Sequence, residues 1–156
     1  MTNLVRVEPI ALMPTPAGCA IFLGDGQKVI VFYIDLAIGA SINAVLADQK
    51  SPRPLSHDLF VDALIGFGAQ VTRVVIVRKD GDIFYARLFL EAQNEIMERK
   101  IVELDARPSD CIALAVRTES PMYVVRDVWD QLEDMSQQLE EMRHQNPPDD
   151  DSPGIG

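Results

Sequence analysis

Two short segments of the chain bring together side chains that could hydrolyse a phosphate ester. The first, residues 53–59, is R-P-L-S-H-D-L, and the second, residues 104–117, is L-D-A-R-P-S-D-C-I-A-L-A-V-R. Such hydrolysis needs a group that activates water, positive charge beside the phosphate and an acid for the leaving oxygen. Histidine, arginine and carboxylate side chains can serve these purposes. The candidate catalytic residues are His57, Asp58, Asp105, Arg107 and Asp110.

Each of these residues also has a structural interpretation. An aspartate in the first turn of a helix ordinarily interacts with the exposed N–H groups and the helix dipole, which applies to Asp58 and Asp110. Arg107 could pair with a neighbouring aspartate and tie a strand to a helix, without any catalysis. His57 could simply donate a hydrogen bond to a loop carbonyl. The sequence leaves both interpretations open at every position.

Three further residues are candidate substrate contacts, namely Arg53, Arg87 and Ser109. Ser109 also suits the start of a helix. Arg87 shares a strand face with Tyr85 by the period of two, and an exposed charge is the simpler expectation there. One histidine does not make a metal site, so the metal is undetermined, and a divalent ion such as Mg²⁺ is compatible with the carboxylates.

Together the two segments resemble the motifs of the bifunctional nuclease family, R-P-x-[ST]-H-D-L followed downstream by D-x-R-P-S-D-[AC]-I-A-L-A-x-R. The resemblance extends from about Leu4 to about Trp129. It implies a nuclease that acts on RNA and DNA with little sequence preference, and a homodimer. One departure concerns the Glu-Ala pair expected at the start of the first helix, because residues 37–42 are A-I-G-A-S-I and include no acid.

Two other functions compete with the nuclease hypothesis. One is a non-catalytic dimeric binding or regulatory module, in which both motifs hold the fold together. The other is a hydrolase of a small phosphorylated substrate, which needs a local Arg/Asp/His pocket but no basic groove. Candidate residues that line one open cleft would favour an enzyme, whereas residues that are paired and buried would favour the module.

The charge distribution argues against a strong nucleic-acid binder. The net charge is −10, of which residues 127–156 contribute −8, since they hold nine acids and one base, Arg143. No stripe of Lys and Arg with interleaved aromatics is apparent, and aromatic residues make up only 6% of the chain. We therefore expect any contact with nucleic acid to be weak or local.

The remaining composition predicts an intracellular protein with one domain. The chain has 156 residues, of which 47% are hydrophobic, enough for a proper core. No stretch approaches the roughly 18 uncharged apolar residues of a membrane span, so we expect a cytoplasmic protein without a membrane partner. Cys19 and Cys111 lie in apolar contexts and are expected to be buried free thiols.

Hydrophobic periodicity and turn residues predict an α+β fold, with antiparallel sheet segments and helices packed on them. A helix that begins after Arg107 is apolar on all sides from Cys111 to Val116, so we expect it to be buried. The predicted strands are Leu4–Leu12, Cys19–Leu23, Lys28–Ile34, Val71–Arg78, Ile83–Leu90, Ile96–Leu104 and Met122–Val125. The predicted helices are Leu36–Ala47, one from Ser56 to about Gly66, and Pro108–Thr118. The inner face of the second helix is expected to hold Leu59, Ala63, Leu64 and Phe67.

The C-terminal part predicts an amphipathic helix over residues 126–145. Its apolar residues recur at intervals of four and three, which is a heptad pattern, and are Val128, Leu132, Met135, Leu139 and Met142. Two heptads are too short to be stable alone, so the helix must pack on its own domain, which we favour, or on a second copy. Residues 1–145 are predicted to form the domain, and residues 146–156 an acidic flexible tail.

Overall fold

A computed structural model describes residues 3–145 and shows an α+β fold with a seven-stranded mixed sheet and five helices across these residues. The strands are β1 Leu4–Thr15, β2 Gly18–Gly24, β3 Val29–Ile34, β4 Ala69–Asp80, β5 Ile83–Gln93, β6 Arg99–Ala106 and β7 Met122–Val125. The helices are α1 Leu36–Leu46, α2 Ser56–Gly66, α3 Pro108–Thr118, α4 Arg126–Gln131 and α5 Ser136–Gln145. The predicted acidic tail, residues 146–156, lies outside the described residues.

The strand order in the sheet is β3-β2-β1-β7-β4-β5-β6. Two antiparallel three-stranded units, β1–β3 and the predicted meander β4–β6, are joined by β7, which is antiparallel to β1 and parallel to β4. β6 starts at Arg99 rather than Ile96, because Asn94 Oδ1 accepts hydrogen bonds from the N–H groups of Ile96 and Glu98 and holds that segment as a turn.

One face of the sheet, which we call the inner face, lies against the main hydrophobic core. Ala86, Leu88 and Leu90 of β5 point into this core, as do the apolar side chains of α3. Residues Cys111–Ala115 are all buried, which confirms the predicted buried helix after Arg107. Phe32 of β3 and Phe84 of β5 meet edge to face at 4.8 Å between ring centroids, so the sheet curls around its inner face.

The outer face of β2 is covered by α5. Ala20 and Phe22 of β2 form a second buried cluster with Leu139, so the C-terminal segment packs on its own sheet, as favoured from the sequence. The predicted single helix 126–145 is wrong, since α4 and α5 are separate. The N–H of Met135 donates to Val29 O at 2.7 Å, and this bond to the edge strand β3 interrupts the helix.

Of the four residues predicted for the inner face of α2, only Leu64 packs against the core. Val61 and Leu64 pack against the core, whereas Leu59 and Phe67 are 63% and 88% exposed. The apolar residues of α2 point to all sides of the helix, so their spacing alone did not identify the buried side. At the start of the helix, the carboxylate of Asp58 accepts the N–H of Leu55 at 2.9 Å.

Over residues 3–145, no helix combines the length and the apolarity that crossing a bilayer requires. Cys19 and Cys111 are both buried and free, as predicted.

Candidate active site

The first turns of α2 and α3 meet on the inner side of the sheet. His57 Nε2 lies 3.0 Å from Asp110 Oδ1, and Arg107 Nε donates to Asp110 Oδ2 at 2.9 Å. His57 Nδ1 lies 3.0 Å from the hydroxyl of Ser41, on α1. Ser41, His57, Asp110 and Arg107 thus form one hydrogen-bonded chain across three helices, which we call the histidine cluster.

Ser41 is the member that sequence reasoning missed. Its neighbours on α1, Ile38 and Ile42, are buried core residues, and Ser41 itself is only 6% exposed. A hydroxyl on the buried face of an apolar helix needs a hydrogen-bond partner, and that was the available signal. Nothing in the sequence indicated that the partner would be a histidine on the next helix.

The chemistry of the groups fixes the direction of the hydrogen bonds when the imidazole is neutral. A carboxylate can only accept, so Nε2 of His57 carries the proton and donates it to Asp110. Nδ1 then accepts from the hydroxyl of Ser41. Both ring nitrogens are engaged, and a proton that arrives at Nδ1 must come through the hydroxyl of Ser41 or displace its hydrogen bond.

Asp110 is held as a carboxylate. Partial burial by itself raises its pKa, but hydrogen bonds from His57 and Arg107 outweigh this effect and bring the pKa below its usual value. The hydrogen bond to Asp110 in turn raises the pKa of Arg107. The side chain of Arg107 is 67% exposed, so it carries a fixed positive charge at the solvent side of the cluster.

Asp58 does not belong to the histidine cluster. Its Oδ1 accepts a hydrogen bond of 2.7 Å from Nε of Arg117, in the last turn of α3, and the side chain of Arg117 is only 6% exposed. This hydrogen bond and the one from the N–H of Leu55 lower the pKa of Asp58. The buried guanidinium also donates to Ala113 O at 3.2 Å. Asp58 therefore ties α2 to α3 and neutralises a buried charge.

Asp105 and Arg87 lie on the outer face of the sheet. Ala86 and Leu88 point into the main core, so Arg87 between them points the other way, as does Asp105, its partner in the β5–β6 register. Arg87 Nη1 lies 3.3 Å from Asp105 Oδ1. The predicted catalytic set is therefore divided between the two faces of the sheet. Of the other candidate contacts, Ser109 adjoins Asp110 and Arg53 is exposed between α1 and α2.

Comparison with known proteins places these segments in a recognised family. The family model of the bifunctional nuclease domain matches residues 21–137, which include both motif segments. The chain belongs to the bifunctional nuclease domain family. The start of its first helix departs from the expected pattern, because α1 has no acid in its first turn. A carboxylate does precede it, since Asp35 accepts the N–H of Ile38 at 2.8 Å.

The alignments with curated relatives cover only part of this chain and only part of each relative. An uncharacterised protein of Mycobacterium tuberculosis is 38% identical over 96 residues, which are 59% of this chain and 54% of the relative. Bifunctional nuclease 1 of Oryza sativa subsp. japonica is 31% identical over 54% of this chain and 25% of its own length. Its namesake in Arabidopsis thaliana is 27% identical over 71% and 34%. The match thus spans about half of the mycobacterial relative and less of the plant proteins.

The carboxylates of this family member do not converge as metal ligands would. Both oxygens of Asp110 are hydrogen-bonded, both oxygens of Asp58 accept bonds from Arg117 and Leu55, and Asp105 lies on the other face. Within residues 3–145, no three His, Cys, Asp or Glu side chains are grouped as a metal site. The histidine cluster does not fit a divalent cation in this arrangement.

Proposed function

We propose that this protein hydrolyses phosphodiester bonds in nucleic acid and that the histidine cluster is its reaction centre. The observation that carries the proposal is the position of Arg107. Its exposed guanidinium is held by Asp110 beside His57, where the first turns of two helices meet. Helix N-termini favour negatively charged groups, and an arginine beside them favours a phosphate more strongly.

The proposed roles follow from the hydrogen bonds. Arg107 stabilises the negative charge that develops on the phosphate, and His57 transfers a proton. Asp110 orients both of these side chains through its two oxygens. Ser109, in the same helical turn, and Arg53, on the exposed connector before α2, are proposed phosphate contacts.

Low sequence preference on RNA and DNA is part of this proposal. Contacts from arginine to phosphate position a nucleic acid but carry no sequence information. The plant relatives are named bifunctional nucleases, which supports the activity. Because the matched segment covers only a part of those proteins, the activity of this chain has to be measured directly.

The test compares the wild type with Arg107→Ala on RNA, DNA and a phosphate monoester, with and without added divalent metal. We expect the variant to lose about a hundredfold or more of its hydrolysis while its melting curve moves little. Arg126→Ala is the matched control, since Arg126 is a half-exposed arginine on α4 that pairs only loosely with Asp130, at 4.0 Å. A wild type that cleaves no nucleic acid with any metal ends the nuclease proposal.

A specific observation favours a second candidate, the non-catalytic binding or regulatory module. The candidate catalytic carboxylates are each hydrogen-bonded or ion-paired within the chain, as expected for residues that hold a fold together. For a module, Arg107→Ala and Asp110→Asn would change stability and leave no hydrolysis to lose. The third candidate, a hydrolase of small phosphorylated substrates, predicts activity on the monoester alone.

We also propose a homodimer, but on a surface other than the heptad residues, which pack within the chain itself. Leu59, Ile65 and Phe67 lie exposed along or just after α2. The N–H of Gln93 donates to Gly68 O, so this patch adjoins the β5–β6 hairpin, and β6 is an edge strand. β6 is basic at its start and acidic towards its end (R-K-I-V-E-L-D-A), so antiparallel pairing with a second β6 brings opposite charges together.

A further inference from the structure

The outer face of the sheet has two unlike halves. α5 covers the part formed by β2, through Leu139 on Ala20 and Phe22. The part formed by β4 and β5 carries arginine and aromatic side chains instead, and the apolar residues of α1, α3 and α4 pack into the core on the opposite face. The side chains on this uncovered half include Arg73, Arg78, Tyr85, Arg87 and Phe89, together with Val75 and Glu91.

Two of these arginines lie over aromatic rings. The guanidinium of Arg73 is 4.2 Å from the ring centroid of Phe89, and that of Arg78 is 4.2 Å from the ring centroid of Tyr85. The β4–β5 register places Arg73 opposite Phe89 and Arg78 opposite Tyr85. Each stack is therefore a cross-strand pair whose position is set by the sheet itself.

The charges of these two arginines are not neutralised within the part of the chain that the structure describes. Over residues 3–145 neither Arg73 nor Arg78 forms an ion pair, whereas Arg87 between them is shared by Glu103 and Asp105. Two uncompensated positive charges on one face stand out in a chain of net charge −10. They suit a ligand that carries phosphate groups.

The stacked side chains form a continuous layer. Val75 lies between the two stacks in the β4–β5 register, opposite Arg87, and is only 3% exposed although it belongs to neither hydrophobic cluster. Tyr123 of β7 is paired with Val75 on its other side and extends the layer. Beside it, a depression of about 240 Å³ is lined by Val77, Arg78, Tyr85, Arg87 and Asp105.

We propose that this arginine–aromatic face binds single-stranded nucleic acid. Bases that are not paired stack on aromatic rings and on guanidinium planes, and guanidinium groups also bind the phosphates between them. Tyr85 and Phe89 are four residues apart, about 13 Å along the strand. The two stacks therefore contact different nucleotides of one strand. A duplex hides its base faces and binds this surface more weakly.

This face is separate from the histidine cluster, and binding there does not depend on hydrolysis. The two are nevertheless linked along the chain, because Asp105 on the outer face precedes Arg107 by two residues. A single strand of nucleic acid bound across β4 and β5 can reach the edge of the sheet where β6 leads into α3.

The experiment measures fluorescence anisotropy with labelled thymidine and uridine oligonucleotides and with a duplex of equal length, over a series of salt concentrations. The wild type should bind the single strands more tightly than the duplex. Arg73→Gln/Arg78→Gln should weaken this binding by about tenfold or more and reduce the salt slope by about 1.4 units, since each phosphate contact on a single strand contributes about 0.7. Arg73→Lys/Arg78→Lys keeps the charge without the planar stack, so it should keep the salt slope and still lose affinity.

The matched control is Arg126→Gln/Arg143→Gln, which removes the same charge from α4 and α5 and should bind like the wild type. If the control and the Arg73/Arg78 variant lost the same affinity, the effect would depend on net charge alone, and the proposal would be overturned. Equal binding of duplex and single strand, or no binding of either, would also overturn it. Binding without any hydrolysis would leave this face standing and remove the proposed nuclease activity.

Discussion

At the scale of single residues, aspartate has a different role at each of two neighbouring sites. Asp58 and Asp110 both stand in the first turn of a helix, and both have a lowered pKa. Asp58 neutralises Arg117, which is buried, whereas Asp110 holds Arg107, which is exposed. The burial of the partner arginine therefore distinguishes the two aspartates. Asp58 stabilises the fold, whereas Asp110 positions Arg107, the proposed phosphate contact.

Asp58→Asn should lower stability rather than activity per folded molecule. Breaking a fully buried pair costs roughly 3–5 kcal/mol, and since Asp58 is itself partly exposed we expect about 1–2 kcal/mol, measured by urea unfolding near neutral pH. The pKa of Asp58 is below its ordinary 3.8 in the folded protein, so its contribution is present above that value and lost as the pH falls through the lowered pKa. The difference between wild type and variant should vanish in acid, and a gap that persists there would contradict the ion-pair explanation.

Ser41→Ala should disturb His57 without unfolding the protein. In the wild type the ring carries its proton on Nε2, because Asp110 accepts it, and Nδ1 accepts from Ser41. The variant keeps this tautomer, but its Nδ1 loses the hydrogen bond, so the Nδ1 resonance should move to that of a ring nitrogen without a donor. Nitrogen-15 NMR of the imidazole shows this directly, because the chain has only two histidines and His144→Gln assigns the second. If the proposed activity is present, it should fall by about tenfold. An unchanged Nδ1 resonance would mean that Ser41 does not donate to the ring.

At the scale of elements, the packing of α1 depends on a glycine that its sequence pattern did not explain. A Cβ at Gly39 would lie 2.4 Å from Sγ of Cys19 and 2.8 Å from its Cβ, so the helix approaches β2 more closely than any other residue permits. This close approach sets the depth of α1 against the sheet. It thereby also sets the position of Ser41, two residues later on the same helix.

Gly39→Ala should therefore destabilise the protein by about 1–3 kcal/mol, although alanine is the better helix former. Gly66→Ala in α2 is the matched control, because a Cβ there meets no atom within 4 Å, and that variant should unfold at the same denaturant concentration as the wild type or slightly above it. Similar stabilities of the two variants would show that α1 can shift to accommodate the methyl group.

At the scale of the whole molecule, exposed apolar surface and charge are unevenly distributed. α5 covers one half of the outer face, the arginine–aromatic face occupies the other, and the exposed side of α2 with β6 forms the apolar patch proposed as the dimer interface. These surfaces are distinct, so a dimer through β6 leaves the arginine–aromatic face accessible. That residues 1–145 form one domain stays a prediction.

Light scattering at micromolar concentration should give the mass of a dimer. Phe67→Glu places a charge on the apolar patch and should shift the mass towards that of a monomer. Ile83→Glu is the control, since Ile83 is 61% exposed at the β4–β5 turn, away from the patch, and should leave the dimer intact. A wild type with a clean monomer mass would show that the patch has another purpose.

Local patterns in the sequence were enough for most of the elements and for the family. The apolar run of α3, the turns of the β4–β6 meander and the motif segments each depend on residues near one another in the chain, so periodicity and turn chemistry revealed them. His57, Asp110 and Arg107 were identified for the same reason, because their residue types stand at helix starts. The C-terminal heptad pattern correctly predicted packing on the protein's own domain, but its residues divide between two clusters. Val128 and Leu132 pack in the main core, and Met135, Leu139 and Met142 pack on β2.

Contacts between distant residues decided the rest. The placement of β7 between β1 and β4, the bond from Met135 to Val29 that separates α4 from α5, and the partnership of Ser41 with His57 leave no local pattern. Side chains alternate between the two faces along β5 and β6. Arg87 and its partner Asp105 therefore point to the face opposite the histidine cluster, although Asp105 lies only two residues from Arg107. The sequence determined which side chains could do chemistry, and the tertiary structure determined which of them meet, because strand pairing and helix packing decide which side of the sheet each one faces.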